Sequence, residues 1–286
     1  MIDIHEVIRM KEKHLIALDL DGTLLSDQRQ ILAPTKETIQ HLIEAGHVVV
    51  IATGRSNKLS IHYYHELGLK TPLINSNGAV IHHPHDKNWG VHHTPLERKL
   101  ALDIIDANKQ LQGKNVLAAV QDTVYLDQYD EHIFDFYQPK KDDPFHVGPV
   151  TDLLKDDPTL MLLYPDKDNL QRLTSYLNDL HADIIDHRNW GEPTNIIEVM
   201  NNKVNKATAI QQVAKEFGIS KERIIAFGDE TNDLAMIDYA GVGVAMGNAV
   251  DELKTVAKHV TDTNENNGIG QFLADYFQLK ITSLQK

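Results

Sequence analysis

Residues 15–24 read LIALDLDGTL, and this stretch decides the fold that the rest of the chain can adopt. Its first four residues, Leu15–Leu18, are all apolar, which predicts a short strand buried on both faces. Asp19 and Asp21 follow at once, and a Gly-Thr pair comes after them. Ligands of open parallel sheets bind beyond the carboxyl ends of the strands, so this stretch predicts both a parallel sheet and the location of its site.

The segments that follow alternate between helix and strand. The pattern predicts a helix that opens at Pro34, a buried strand over His47–Ala52, a helix over residues 56–67 and a strand over Pro72–Ile74. The same alternation resumes at Asn205. This order is typical of a doubly wound α/β domain, in which helices cover both faces of a parallel sheet.

The middle of the chain follows a different pattern. Ala79–His83 and Trp89–His93 flank a polar segment and predict a hairpin, after which predicted strands, one of them over Ala182–Asp186, outnumber predicted helices. Such a mixture is typical of an α+β domain. We therefore predict a doubly wound α/β core of residues 1–83 and 201–286, with an inserted α+β cap domain of residues 84–200.

Polar clusters follow four predicted strands of the core, at residues 19–23, 53–55, 75–78 and 228–233. The carboxyl ends of parallel strands meet at one edge of a sheet, so these clusters should converge on one crevice that holds at least four carboxylates. Crowded carboxylates raise one another's pKa, and a hard divalent cation relieves the crowding. Mg²⁺ prefers oxygen ligands, and we expect Asp19 and Asp229 to bind it directly.

Composition limits the possible partners. The chain has 41 acidic and 28 basic residues, and its net charge of −13 disfavours nucleic acid and anionic membranes as partners. It has no cysteine, which excludes disulfides and thiolate chemistry and fits a reducing cytoplasm. No run approaches the ~20 apolar residues of a membrane span, and the N-terminus lacks a signal-peptide pattern. We expect a soluble, cytoplasmic protein that binds a small phosphorylated molecule.

The types of residue in these clusters point to phosphoryl transfer. The Asp19 carboxylate can accept a phosphoryl group, while Asp21 can protonate the leaving oxygen and later deprotonate water. Thr53 adds a hydroxyl group at a predicted helix N-terminus, where anions bind well. A lysine would complete the site, and Lys206, which opens the helix after the insertion, is the best-placed candidate, with Lys203 as the fallback.

Taken together, these motifs resemble the haloacid dehalogenase (HAD) superfamily of phosphatases. The matching features are DLDGTL at residues 19–24, TGR at residues 53–55, a lysine after a long insertion, and GDETND at residues 228–233. The INSNGAVI segment and the insertion are similar to the Cof-type branch, subclass IIB, which carries a C2 cap. The resemblance extends from about residue 14 over essentially the whole chain. One position departs from the family pattern, because Ala207 stands where glycine often follows the lysine.

The resemblance implies a role for each matching residue. Asp19 would be the nucleophile, and Asp21 would be the general acid and base that also binds the metal through its backbone carbonyl. Lys206 would hold Asp19 and the transferring phosphoryl group, and Thr53 would bind the phosphate. The implied metal ligands are Asp19, Asp21, Asp229 and Asp233. The expected phosphate and substrate contacts are Leu20, Gly54, Arg55, Asn77 and Asn232.

We therefore expect Mg²⁺-dependent hydrolysis of phosphomonoesters of small metabolites through an aspartyl-phosphate on Asp19. The expected substrates are sugar phosphates, FMN or pyridoxal phosphate, and the cap would select among them. Two alternatives remain open. A phosphomutase of the same superfamily would keep Asp19 but return the phosphoryl group to a sugar, and a phosphometabolite-binding regulator would not turn over at all. A calcium loop at Asp19–Asp21 is disfavoured, because the distal Glu of that motif is missing.

Histidines are concentrated on the predicted hairpin and just after it, at His82, His83, His85, His92 and His93. Such a cluster can form a zinc site, but exposed polar residues are also normal on a hairpin. The carboxylate clusters place hard-cation chemistry elsewhere. We therefore interpret these histidines as polar hairpin residues, with substrate contact as the alternative.

Overall fold

The computed structural model describes residues 12–137, 139–192 and 194–284. They form two compact units. The first unit comprises the described parts of residues 1–55, 60–91 and 205–286, and the second comprises those of residues 56–59 and 92–204.

The borders of these units lie C-terminal to the domain borders predicted at 83/84 and 200/201. The reason at the first border is Trp89, which is half-buried against the apolar core of the first unit. Its indole N–H also donates a hydrogen bond to the carboxylate of Glu216, in the same unit. The polar turn of the hairpin therefore stays with the first unit.

The strands, in chain order, are β1 (Leu15–Leu18), β2 (Val48–Ile51), β3 (Leu73–Asn75), β4 (Val80–His82), β5 (Val91–His93), β6 (Asn115–Val120), β7 (Thr123–Leu126), β8 (Phe145–Val147), β9 (Leu160–Tyr164), β10 (Ile185–Asn189), β11 (Ile197–Asn201), β12 (Ile224–Gly228), β13 (Val242–Ala245) and β14 (His259–Val260). The helices are α1 (Ala33–Glu44), α2 (Asn57–Glu66), α3 (Arg98–Gln110), α4 (Glu131–Tyr137), α5 (Val150–Leu153), α6 (Leu170–His181), α7 (Lys206–Glu216), α8 (Leu234–Tyr239), α9 (Asp251–Val256) and α10 (Gly268–Phe277). No helix among the described residues has both the length and the apolar character that crossing a membrane requires.

The first unit is built on a parallel sheet of five strands in the order β14–β13–β12–β1–β2. Leu18 at the end of β1 is level with Phe227 of β12 and with Ile51 of β2. A parallel bridge between Ala52 and Ile74 extends the sheet towards β3, which pairs antiparallel with β4. The residues that follow β1, β2 and β12 therefore emerge side by side at one edge of the sheet.

The core of the first unit confirms the predicted doubly wound α/β fold. Every residue of β1, β2 and β12 is buried, as expected for strands covered on both faces. Among the covering helices, α1 packs against α10, and α7 packs against α8.

The second unit contains a mixed sheet of six strands in the order β10–β11–β9–β6–β7–β8. All its pairs are antiparallel except β7 with β8. Apolar residues of α3 and α6, such as Ile104 and Leu173, form one buried cluster with Val116, Met161 and Val199 of the sheet. This arrangement of helices on an antiparallel sheet confirms the predicted α+β character of the insertion.

Two elements differ from the sequence prediction. The strand predicted over Ala182–Asp186 is found at Ile185–Asn189, on the edge of the second sheet. Its residues after Ile185 are polar and mostly solvent-accessible, so no apolar run marks the strand. The helix α10 was not predicted, because its Gly-Ile-Gly start has low helix propensity, and packing against α1 compensates for this in the fold.

His14 and His47 form a buried pair at the amino-terminal end of β1 and β2, opposite the edge that carries the polar clusters. The backbone N–H of His14 donates to Nδ1 of His47 (3.1 Å), and the ring of His47 lies 4.6 Å from that of Phe277. Burial, to which the nearby His14 adds, lowers the pKa of His47 from 6.5 to about 4. His47 is therefore neutral in the folded protein at physiological pH.

We expect acid to destabilise the protein through His47. A base whose pKa is lower in the folded state binds its proton more tightly when the chain is unfolded. This contribution to stability is present in full above pH 6.5 and is lost as the pH falls from 6.5 towards about 4. Near pH 4 the free energy of unfolding should be lower by at most about 2 kcal/mol. Residual solvent contact of the ring makes this loss smaller than the shift in pKa alone would give.

Urea unfolding at several pH values checks this expectation. The free energy of unfolding of His47→Gln should fall less steeply between pH 6.5 and about 4.5 than that of the wild type. His41→Gln, which changes an exposed histidine on α1, should keep the wild-type slope. Equal slopes for His47→Gln and the wild type would contradict the assignment.

Candidate active site

Lys206 lies at the centre of the candidate active site. It is the first residue of α7, where Asn205 and Thr208 form a capping box that fixes the start of the helix. The side chain is fully buried, and Nζ donates to Oδ1 of Asp19 (2.6 Å) and to Oδ1 of Asp233 (2.7 Å). A buried ammonium group requires such partners, since burying it unpaired would cost several kcal/mol. The lysine thus joins the end of β1 to the start of α8.

The carboxylates around this lysine exceed the charge that it can balance. Burial raises the pKa of Asp19 to about 8; Lys206 opposes this rise, and Asp233 and Asp229 add to it. Burial also raises the pKa of Asp229 to about 6, against a hydrogen bond from Thr23. Burial alone would lower the pKa of Lys206, but Asp19 and Asp233 outweigh it and raise that pKa, so the lysine stays charged. A further cation would stabilise the ionised carboxylates.

The carboxylates of Asp19, Asp229 and Asp233 fit a divalent metal ion. Each offers one oxygen, and these three atoms lie within 4.8 Å of one another. Thr23 Oγ1 fixes Asp229 by donating to its Oδ1 (2.7 Å), and the backbone N–H of Asp229 donates to Oδ2 of Asp233 (3.0 Å). Oxygen donors of this kind are the ligands of hard cations such as Mg²⁺. The carboxylate of Asp21 lies outside this cluster.

Two glycines make room for the carboxylates of Asp229 and Asp233. Gly22 has a φ of +71°, and a Cβ at this position would lie 2.1 Å from Oδ2 of Asp229. A Cβ at Gly228 would lie 2.5 Å from Cγ of Asp233. Both distances are far shorter than the ~3.5–4 Å of an ordinary carbon contact. Any side chain at these glycines would displace the carboxylates.

Gly22→Ala should therefore impair metal binding far more than stability. The added methyl group displaces Asp229, and we expect metal affinity to fall by about 10–100-fold. Gly68→Ala is a matched control, because Gly68 has a similar φ of +68° but a Cβ added there would meet no atom within 4 Å. Both variants should lose about 1 kcal/mol from backbone strain. Calorimetric titration with Mg²⁺ measures the difference, and equal affinities in the two variants would contradict this role for Gly22.

A second part of the site is formed by the loops that follow β2 and β3. Thr53 is buried, and its Oγ1 accepts a hydrogen bond from the backbone N–H of Arg55 (3.1 Å). The backbone N–H of Asn77, a residue with a left-handed φ of 53°, donates to the carbonyl of Thr53 (3.0 Å). Nδ2 of Asn232 then donates to Oδ1 of Asn77 (2.9 Å). Gly54 lies beside Asn77, so four of the predicted phosphate-binding residues come together.

Asp21 and Arg55 form a separate ion pair in the first unit. Arg55 Nε donates to Oδ2 of Asp21 (2.7 Å), and a terminal nitrogen donates to Oδ1 (2.5 Å). Leu20, between the two aspartates, is buried, and its carbonyl accepts from the N–H groups of Thr23 and Leu25. The predicted residues are thus distributed over the Lys206 cluster, the Thr53–Asn232 loops and this pair. The fallback lysine, Lys203, is exposed in the second unit.

Two residues with structural roles in the site are not among the predicted catalytic, metal or phosphate-binding residues. Thr23 holds the Asp229 carboxylate, and Asn248 donates from Nδ2 to the carbonyl of Gly22 (2.7 Å). Thr23 lies within the DLDGT motif, so the motif itself was an available signal for it. Asn248 follows β13 in the chain, and only the parallel sheet brings it to Gly22.

The hairpin histidines make ordinary polar contacts. Nε2 of His82 lies 3.2 Å from Oδ1 of Asn75, and Nε2 of His93 lies 2.9 Å from Oγ1 of Thr159. Within the described part of the chain, these histidines do not form a group of three potential metal ligands. The zinc alternative therefore receives no support from their arrangement.

The fold and the carboxylate–lysine cluster define a phosphatase-type hydrolase with a parallel α/β core. The chain belongs to the haloacid dehalogenase-like hydrolases, because the model of that family matches residues 16–273. This match confirms the resemblance predicted from the motifs.

Two similar proteins are named phosphatases. The chain is 44% identical over 266 residues to 5-amino-6-(5-phospho-D-ribitylamino)uracil phosphatase YitU of Bacillus subtilis (strain 168), a match that covers 93% of this chain and 98% of that protein. It is 28% identical over 269 residues to pyridoxal phosphate phosphatase YbhA of Escherichia coli (strain K12), with coverage of 91% and 97%.

Solved structures share the fold over nearly the whole chain. TM0651 from Thermotoga maritima matches with a TM-score of 0.78 and 27% identity, covering 92% of this chain and 97% of that one. The HAD subclass IIB sugar phosphatase BT4131 matches with a TM-score of 0.76 and 22% identity, covering 94% and 100%. At that identity the second match concerns the fold alone.

Proposed function

We propose that the chain is a Mg²⁺-dependent phosphatase that hydrolyses phosphomonoesters of small metabolites through a phosphorylated Asp19. The observation that carries this proposal is the setting of the Asp19 carboxylate. It is nearly buried at the end of β1, and Lys206 fixes Oδ1 (2.6 Å). Among the described residues no hydrogen bond reaches Oδ2, so this oxygen is available as a nucleophile.

The first chemical step forms a bond between an Asp19 oxygen and phosphorus, while the bond from phosphorus to the leaving oxygen breaks. Lys206 balances the charge that collects on the phosphoryl oxygens and keeps Asp19 oriented. Thr53 and the Asn77–Asn232 pair would contact the non-bridging oxygens. Asp21 would give its proton to the leaving oxygen. In the second step, Asp21 would take a proton from water, the water oxygen would bond to phosphorus, and the Asp19–phosphorus bond would break.

Asp19 and Asp229 would hold the metal ion, with Asp233 beside them. Asp233 accepts hydrogen bonds at both oxygens, from Lys206 at Oδ1 and from the Asp229 N–H at Oδ2, so it would act mainly by orienting its neighbours. When bound, Mg²⁺ supplies positive charge that attracts the phosphate and stabilises its oxygens. This charge also counters the field of a chain whose net charge is −13.

The substrate class follows from the relatives. At 44% identity over nearly the whole of both chains, the YitU phosphatase makes 5-amino-6-(5-phospho-D-ribitylamino)uracil the first compound to test. FMN, pyridoxal phosphate and sugar phosphates come next. We propose that the second unit, whose long segment spans residues 92–204, is the cap that selects the leaving group.

The test is phosphate release from a panel of these compounds by the wild-type protein, with Mg²⁺ and with EDTA. We expect release from at least one compound, and its loss in EDTA should be reversed by added Mg²⁺. Release that persists in EDTA would refute the metal dependence. An isomerised sugar phosphate without free phosphate would favour the mutase alternative instead.

A further inference from the structure

Arg55 is a predicted phosphate contact, but two nitrogens of its guanidinium group donate to one carboxylate in a two-point pair. Nε donates to one oxygen of Asp21 (2.7 Å) and a terminal nitrogen donates to the other (2.5 Å). Parallel bonds of this kind fix the plane of the carboxylate as well as its position. The side chain of Asp21 is 59% exposed while that of Arg55 is 16% exposed, so the arginine is the anchored partner.

The anchor is rigid because both the backbone and the side chain of Arg55 are held. Its N–H donates to Thr53 Oγ1 (3.1 Å), and its carbonyl accepts from Ser76 N–H and Asn75 Nδ2 (both 3.0 Å). The guanidinium carbon lies 5.4 Å from the ring centre of Tyr63, a cation–π contact with a buried ring. Burial alone would lower the pKa of Arg55, but Asp21 outweighs it and raises that pKa, so the anchor is permanently charged.

We infer that Arg55 is a positioning residue for the general acid Asp21 and is not a phosphate ligand. This inference rests on the proposed phosphatase function. Asp21 lies three residues beyond the end of β1, and its side chain is exposed. The two hydrogen bonds from Arg55 therefore restrict a side chain that would otherwise rotate. Because Arg55 donates to both oxygens, neither oxygen can approach a leaving group while the pair is intact. The acid must therefore free one oxygen to act, and Arg55 defines the place to which it returns.

This role has a consequence that a phosphate ligand would not share. A residue that acts through the general acid matters only where the leaving oxygen needs a proton. An alkoxide leaving from an alkyl phosphate needs one, whereas the p-nitrophenolate of p-nitrophenyl phosphate leaves without it. A residue that binds the phosphoryl group matters equally for both substrates, because they share that group.

The experiment compares kcat/KM of Arg55→Met and Arg55→Lys with wild type on two substrates: p-nitrophenyl phosphate and the alkyl phosphate hydrolysed fastest in the panel. We expect Arg55→Met to lose about 10–100-fold on the alkyl phosphate and less than about threefold on p-nitrophenyl phosphate. Arg55→Lys keeps the charge but not the two-point pair, so its kcat/KM on the alkyl phosphate should lie between those of the wild type and Arg55→Met. The ratio of the two values in one preparation is independent of the folded fraction, so partial misfolding cannot produce the pattern.

Two further measurements complete the test. Asp21→Asn should show the same leaving-group pattern, and Arg55→Met should add little to it in the double variant, because both act on one step. Inhibition by inorganic phosphate should be unchanged in Arg55→Met. Arg29→Met, which removes an exposed arginine, is the charge control.

An equal loss on both substrates, together with weaker inhibition by inorganic phosphate, would overturn the inference and make Arg55 a phosphate ligand. Additive losses in the double variant would overturn it as well. Wild-type turnover in the same assay would leave the proposed phosphatase function standing in either case, while its absence on every substrate would refute that function itself.

Discussion

Asp19→Asn is expected to lower phosphate release by at least about 10⁴-fold on every substrate, because the amide cannot attack phosphorus. The loss should be as large on p-nitrophenyl phosphate as on alkyl phosphates, since both must first phosphorylate Asp19. The variant should remain folded. Asn is nearly the same size as Asp, and its neutral amide avoids the cost of burying a charge, which together with the nearby Asp233 and Asp229 raises the pKa of Asp19 to about 8. We expect its free energy of unfolding to lie within about 1 kcal/mol of the wild type.

Steady-state assays with Mg²⁺, together with urea unfolding, measure both parts of this prediction. Asp238→Asn is the control, because Asp238 is an exposed carboxylate on α8 and its replacement makes the same change of charge. It should retain wild-type activity. An active Asp19→Asn protein would rule out Asp19 as the nucleophile, and an unfolded one would leave pairing with Lys206, rather than chemistry, as the main role of this carboxylate.

Lys206→Met should have the largest combined effect on activity and stability. The substitution keeps the shape of a long side chain but removes the ammonium group that pairs with Asp19 and Asp233. Two carboxylates then remain buried without their partner, and breaking a buried pair in this way costs about 3–5 kcal/mol. Activity should fall by at least about 10³-fold, because the charge that stabilises the phosphoryl oxygens is gone.

Lys203→Met provides the matched comparison. Lys203 is exposed and lies three residues away in sequence, so its loss should change stability by less than about 0.5 kcal/mol. The double variant Lys206→Met/Asp233→Asn should recover part of the lost stability, since one unpaired carboxylate is removed with the lysine. A Lys206→Met protein as stable as wild type would show that the buried pair contributes nothing to the fold.

The sequence was sufficient to predict the parallel core because its signals are local. Uninterrupted apolar runs mark β1, β2 and β12, and glycines mark the turns between elements. The edge strand β10 and the helix α10 were predicted wrongly or missed, since an edge strand is polar and a helix that begins Gly-Ile-Gly depends on its packing partner. Tertiary contacts decide such elements, and one sequence does not reveal them.

The candidate site likewise contains some features that the sequence predicts and others that depend on tertiary contacts. Carboxylates at successive strand ends predicted that Asp19 and Asp229 would meet, and the level strand ends place them together. Nothing in the sequence indicates that Arg55 turns to Asp21, because the choice between a carboxylate and a phosphate depends on side-chain direction. The need for Gly22 is also hidden, since the clash that it avoids involves an aspartate about two hundred positions later.

The pairing of β1 with β12 also determines at what point during synthesis the site can form. A ribosome releases β1 before the second unit, yet the neighbour of β1 on one side, Ile224–Gly228, follows only after that whole unit. Until then Asp19 has neither Lys206 nor Asp229, and one edge of β1 has no strand to bond. During the synthesis of about two hundred residues, one edge of this apolar strand therefore stays unpaired. This delay raises the risk of aggregation and makes assistance by chaperones more useful. Catalytic competence thus requires the segment that follows the second unit.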